Sequence, residues 1–273
     1  MGLEGEMDML RRFGWKLVVG LALSGTAVFA PNVQAQATAT KPATTTSQEL
    51  PKAEALFDKY SEAVGGREAF AKIKSVSSVG TMSIPQAGIE GDVEMFQADG
   101  KLLIVAEFAG VGKQTVGFDG TVGWQDADLT GPKLLEGAML EEIKFQAKVD
   151  GMQNAAKYYD SITTVKETTF AGQAAYEVVA KKKGTPDKSI FFAKDSGLII
   201  GTQGESETDF GKMEVTSTTA DYKQVGDVKI SHGGEQKFPN GITMKMTMTE
   251  IKLNPTIPAD KFELPAAIKK LVK

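Results

Sequence analysis

Between Ile89 and Trp124, short apolar stretches alternate with turn signals in the run IEGDVEMFQADGKLLIVAEFAGVGKQTVGFDGTVGW. Asp99-Gly100 and Asp119-Gly120 tolerate positive φ at little cost. Set between β-branched and aromatic residues, they predict hairpins and therefore a β-meander. Strands are predicted over Val76 to Ile84, Ile89 to Gln97, Leu102 to Phe108, Gln114 to Phe118 and Thr121 to Gln125. They resume over Ile162 to Phe170, Ala174 to Ala180, Ser189 to Ala193, Leu198 to Gly204, Lys212 to Tyr222, Val228 to Phe238 and Ile242 to Leu253. Leu102, Ile104, Ala106 and Phe108 share one face of their strand and Leu103 and Val105 the other, so that strand is covered on both sides. In the last strand Met244, Met246 and Met248 alternate with polar residues, either filling a core or lining a surface that accepts varied apolar partners.

Helical spacing occurs in two places. Before the strands, Leu56, Phe57, Tyr60 and Val64 predict a helix stopped by Gly65-Gly66, and Phe70 and Ile73 a second short helix over Arg67 to Lys74. Midway, after Gly131-Pro132, Leu140, Ile143 and Ala147 and then Ala155 with Tyr158 or Tyr159 predict two helical segments inserted between strands. Such an insertion either plugs the open side of a curved sheet or covers it as a lid. The fold class is thus mainly β (α+β) and antiparallel.

The N-terminal region reads differently. Arg11, Arg12 and Lys16 precede the apolar run Leu17 to Ala30, and Val33-Gln34-Ala35 supplies small residues where a signal peptidase reads. Residues 1–35 are expected to be a signal peptide, with Met7 or Met9 as an alternative start and the paired arginines leaving a twin-arginine route open. Residues 36–52, rich in Ala, Thr and Pro, are expected to form a flexible linker, and 53–273 a single domain. The protein is expected to be exported, periplasmic or secreted, with no transmembrane segment in the mature chain. It contains no cysteine, which excludes disulfides and the acylated cysteine of a lipoprotein. A net charge of −4 with 24% charged residues argues against nucleic acid as a partner.

Catalytic patterns fail their context tests. The single histidine, His232, cannot supply the paired imidazoles of a zinc protease, and no G-x-S-x-G elbow exists. Asp209-Phe210-Gly211 and Gly110-Val111-Gly112-Lys113 imitate kinase and phosphate-loop fragments without the rest of either motif. Asp126, Asp128, Glu141 and Glu142 read as solvated charge. No enzymatic activity, cofactor or metal is expected.

Phe57-Asp58-Lys59-Tyr60 through Gly65-Gly66-Arg67-Glu68-Ala69, Gly91 to Phe96, Gly117-Phe118-Asp119-Gly120 with Trp124, Leu129-Thr130-Gly131-Pro132, Asp221-Tyr222 and Pro258 to Phe262 form an ordered set across the mature chain. Together they resemble the LolA-like family of exported proteins, often labelled outer-membrane lipoprotein-sorting proteins. The resemblance implies a strongly curved antiparallel sheet forming an incomplete barrel, with N-terminal and inserted helices closing one side over an apolar cavity. It implies a lipid or acylated protein as cargo, and membrane donor and acceptor proteins as partners. Candidate cavity-lining residues are then Val93, Met95, Leu103, Val105, Phe118, Trp124, Phe192, Met213, Met244, Met246 and Met248, each with plain core as its alternative role. In the founding carrier a strand arginine contacts a lid helix. Here the only arginine after Ala35 is Arg67, on a predicted helix. The alternative function is a cell-envelope interaction module with a filled core.

Overall fold

The computed structural model describes residues 49–208 and 211–272. The expected signal peptide, most of the linker, and Asp209 and Phe210 lie outside the described residues. Helix α1 (Ala53–Ala63) buries Leu56, Phe57 and Tyr60, the face its periodicity predicts. It ends where Gly65 N–H donates to the Glu62 carbonyl and Gly66 N–H to the Ser61 carbonyl, with Gly65 at φ 116°. That pair of bonds is a Schellman stop, which a side chain at Gly65 would strain. Helix α2 follows at Arg67–Ala71, shorter than the predicted Arg67 to Lys74.

Thirteen strands among the described residues make one antiparallel sheet. They are β1 (Ser75–Ile84), β2 (Ile89–Ala98), β3 (Lys101–Phe108), β4 (Gly112–Phe118), β5 (Gly123–Ala127), β6 (Lys133–Leu134), β7 (Ser161–Phe170), β8 (Gln173–Lys181), β9 (Lys188–Ala193), β10 (Ile199–Thr208), β11 (Gly211–Val225), β12 (Val228–Lys237) and β13 (Thr243–Leu253). Their spatial order is β6-β5-β4-β3-β2-β1-β13-β12-β11-β10-β9-β8-β7. Two meanders therefore run outward from a central seam where β1 pairs with β13. Only the two-residue β6 escapes the sequence reading.

Register shifts at Val79/Gly80, Thr164/Lys166 and Ile199/Gly201 mark irregularities in the ladder. Bulges of this kind bend strands and increase twist, which suits a sheet curved but not closed. At the seam, a Cβ on Gly80 would collide with the Thr247 carbonyl oxygen. The bare backbone lets the two strands approach there.

The order of strands fixes the path of the middle segment. β6 and β7 are the two edges of the sheet, yet they are consecutive in sequence, so residues 135–160 must travel from one edge to the other. They cross the concave face. This segment carries α3 (Gly137–Gln146), which touches β3, β4 and β5 on one side and β10 on the other. Instead of the second predicted helix there is a single 3-10 turn, Ala155–Lys157, because Gly151 and a succession of turns interrupt the pattern.

The interior divides into two apolar clusters. One packs Met82, Val93, Met95, Leu102, Ile104, Phe118 and the Met244, Met246 and Met248 stripe under Ile143 and Ala147 of the crossing segment. The other packs α1 and α2 against Val178, Ile190 and Phe192 of β8 and β9, where the Phe57 and Phe192 rings meet edge to face at 4.9 Å. On the convex face, the tail after β13, including α4 (Ala266–Lys269), covers Leu103 and Trp124 with Phe262 and Ile268.

Candidate functional site

Where the two interior clusters meet beneath the crossing segment, side chains do not fill the space. A cavity of about 250 Å³ remains. Its floor comes from β1, β2, β3, β10, β11, β12 and β13, including Val76, Ser78, Met95, Leu102, Ile199 and Met248. Tyr60, Phe70 and Ile73 close the helix end, and Phe145, Val149, Met152 and Tyr159 form the roof.

The expected lining residues separate into groups. Met95 and Met248 border the cavity. Val93, Phe118, Met244 and Met246 face the same concave side but lie in packed core beside it. Phe192 is fully buried under α1, and Met213 is half-buried near the start of β11, away from the cavity wall. Leu103, Val105 and Trp124 are corrected: they occupy the convex face beneath the C-terminal tail. Register is the reason. Met95 stands opposite Ile104, and Val93 opposite Ala106, so the even-numbered face of β3 points inward and Leu103 and Val105 point out. Trp124 pairs with Gly117, itself opposite Leu103, and its ring lies where a Gly117 side chain would be.

A signal for this register was present in the sequence. Asp99-Gly100 forms a two-residue turn with both φ values positive, 52° and 72°. Such a turn sets Ala98 opposite Lys101 and every later pair with it. Counting outward from it places Met95 against Ile104.

Polar contacts add to the apolar packing that holds the roof. Glu142 Oε2 accepts from Lys188 Nζ at 2.8 Å, and Glu141 pairs with Lys182 at 2.8 Å and Lys144 at 2.9 Å. Gln97 Nε2 donates to the Gln146 carbonyl at 2.5 Å. Arg67, although on a helix, reaches the crossing segment as well: its Nε donates to the Gln153 carbonyl at 3.1 Å while Nη2 pairs with Asp58 at 2.7 Å. Burial would push the Glu142 carboxyl up, but the Lys188 ammonium, with hydrogen bonds from Lys188 and Gln146, outweighs it and holds the carboxyl below its ordinary range. Burial would likewise lower Lys188, and the Glu142 charge raises it instead. The clasp is therefore ionised on both sides at neutral pH.

Two tyrosines meet at the cavity wall. Burial raises the Tyr60 hydroxyl to about 12, with a hydrogen bond to Tyr222 pulling the other way. Burial, then Tyr60, raises Tyr222, whose hydroxyl donates to the Ile199 carbonyl at 2.9 Å. Both stay neutral and serve as fixed hydrogen-bonding groups. His232 is buried with its Nδ1 2.9 Å from the Ile230 carbonyl. Among the described residues no cluster of three or more His, Asp or Glu side chains is placed to hold a metal, and no helix is long and apolar enough to cross a membrane. The arrangement can enclose an apolar group and meet a polar one at its rim.

No protein-family model matches the chain, and no curated protein matches it in sequence. Solved structures do match in shape. A DUF1329 family protein from Desulfovibrio piger superposes with a TM-score of 0.55 at 14% identity, covering 78% of this chain and 98% of that one. A LolA superfamily protein from Nitrosomonas europaea gives 0.52 at 12% identity, covering 79% and 99%. An unclosed, curved antiparallel sheet spanned by its inserted helix, matching these structures over nearly their whole length, is a LolA-like fold.

Proposed function

We propose that the chain is an exported, non-enzymatic carrier that shelters an acyl chain, of a lipid or of a lipid-modified protein, in the cavity under the crossing segment. The observation that carries this reading is the unfilled apolar space of about 250 Å³ inside an otherwise packed interior. An engineered apolar cavity of about 150 Å³ accepts benzene, so this one has room for more than a ring, yet not for several chains. Each methylene leaving water contributes about 0.8 kcal/mol. Ten therefore supply roughly 8 kcal/mol, from which the cost of association is subtracted. Entry and handover to membrane donor and acceptor proteins then require the roof to lift, which its polar fastenings favour over a fully apolar seal.

The test is organic extraction of the purified mature protein followed by mass spectrometry, with native mass spectrometry of the intact protein. Copurifying lipid at about one chain per protein is expected, and Ser78→Phe, which fills the floor, should abolish it. A protein that carries no lipid and binds no added fatty chain would refute the carrier. It would favour the second reading, an envelope interaction module, for which the self-filled methionine half of the interior speaks.

A further inference from the structure

We infer that the cargo is a single-chain amphiphile with an anionic head, a carboxylate or a phosphate monoester, anchored by Lys148 and Lys229. This rests on the carrier reading and narrows it. It separates a free lipid anion from a lipid-modified protein, whose acyl chains end in neutral linkages.

The charged residues at the cavity wall are Lys148, Lys188, Lys229 and Glu142. In a chain with net charge −4, this wall carries three cations and one anion. Glu142 is committed to Lys188 at 2.8 Å. That leaves Lys148 and Lys229, neither of which has a carboxylate within ion-pair distance among the described residues. Lys148 Nζ lies 4.3 Å from the centre of the Tyr158 ring, a contact that positions an ammonium without neutralising it. Elsewhere most lysines of the sheet are spent on neighbouring carboxylates. Both free lysines are exposed and border the cavity, whose lining is mainly apolar. An apolar cavity with two unneutralised ammonium groups at its edge matches a chain that ends in negative charge. The volume admits one such chain.

The experiment uses the mature protein and four twelve-carbon probes below their micelle concentrations: dodecanoate, dodecyl phosphate, dodecanol and dodecyltrimethylammonium. Dissociation constants are measured by calorimetry at low and high salt. Dodecanoate or dodecyl phosphate should bind at least about tenfold more tightly than dodecanol, as expected for hydrogen bonds to a charged group, and the cation most weakly. A lead for dodecanoate assigns a carboxylate head, and a lead for dodecyl phosphate a phosphate monoester head. Added salt should shrink the preference, and K148Q/K229Q should bring the anion-to-alcohol ratio to about one, with dodecanol binding reporting that the variant is folded. Equal binding of dodecanol and both anions, or a double variant that keeps the preference, would overturn the inference and leave the carrier standing. No binding of any probe would overturn the carrier, and the inference with it.

Discussion

Replacing Glu142 by Gln should loosen the roof without unfolding the sheet. Its carboxylate lies 2.8 Å from Lys188 Nζ, with the two side chains 34% and 25% exposed respectively. A fully exposed pair contributes about 0–1 kcal/mol, and stripping one partner from a fully buried pair costs about 3–5 kcal/mol. A pair exposed to this degree falls toward the lower end, near 1.5 kcal/mol, or about tenfold in an opening equilibrium. The loss should be local. Glu142 belongs to a segment whose buried apolar side chains are few, Ile143, Ala147 and Ala155 among them, whereas the seam and both meanders keep every strand contact. Native-state hydrogen exchange is the assay: amides of residues 137–160 should exchange about tenfold faster in E142Q, and those of β1, β2, β12 and β13 at unchanged rates. K188Q on its own should act similarly, and E142Q/K188Q should cost less than the sum of the two, by roughly 1 kcal/mol. Unchanged exchange in 137–160, or additive single effects, would refute the assignment of the pair as a fastening of the roof.

The same clasps predict a pH response. Hydrogen bonds from Lys182 and Lys144 hold the Glu141 carboxyl below 4.5, and Glu142 is lowered as well, so the folded protein binds fewer protons than the unfolded chain. Their stabilisation is complete above about 4.5 and is lost as pH falls through the lowered folded values, which thermal melts between pH 7 and pH 3 should reveal as a declining midpoint only at the acid end. Gly80→Ala should destabilise by about 2–3 kcal/mol in urea titrations, because its Cβ meets the Thr247 backbone and only separation of β1 from β13 relieves the clash. Gln114 is buried, with neither side-chain polar atom hydrogen-bonded, among the apolar residues of β3 and β4. Gln114→Met should therefore raise stability by about 1 kcal/mol, and a loss of similar size would show that an internal water satisfies the amide.

Strand positions were legible because each lies between glycine-containing turns whose chemistry is local. Asp99-Gly100 and Asn240-Gly241 state their hairpins outright. α1 was legible for a related reason, since the spacing of Leu56, Phe57, Tyr60 and Val64 and the glycine pair after it are all short-range. What periodicity could not supply was which side of β3 faces inward. A strand apolar on both faces gives no vote, so Leu103 and Val105 were expected at the cavity, and Trp124 with them. Only the cross-strand register, together with the tail that brings Phe262 and Ile268 over them, decides otherwise. The cavity wall was the least legible part. Tyr60, Phe145, Tyr159 and Tyr222 read as ordinary amphipathic positions in their own elements. They converge because consecutive strands β6 and β7 stand at opposite edges, a long-range fact absent from any local window.

The seam between β1 and β13 joins the first strand among the described residues to the last, with Val76 opposite Leu253. A polypeptide emerging from one end can zip up each meander as it appears, but it cannot join the halves until its final hairpin is free. Pairings so distant along the chain are slow to form, because closing a large loop costs entropy before contacts repay it. Met95 and Met248, on opposite sides of that seam, become neighbours only in this last event. The cavity is thus absent from every shorter nascent product, and a chain stopped before Thr243 would expose two unpaired borders in place of a vessel.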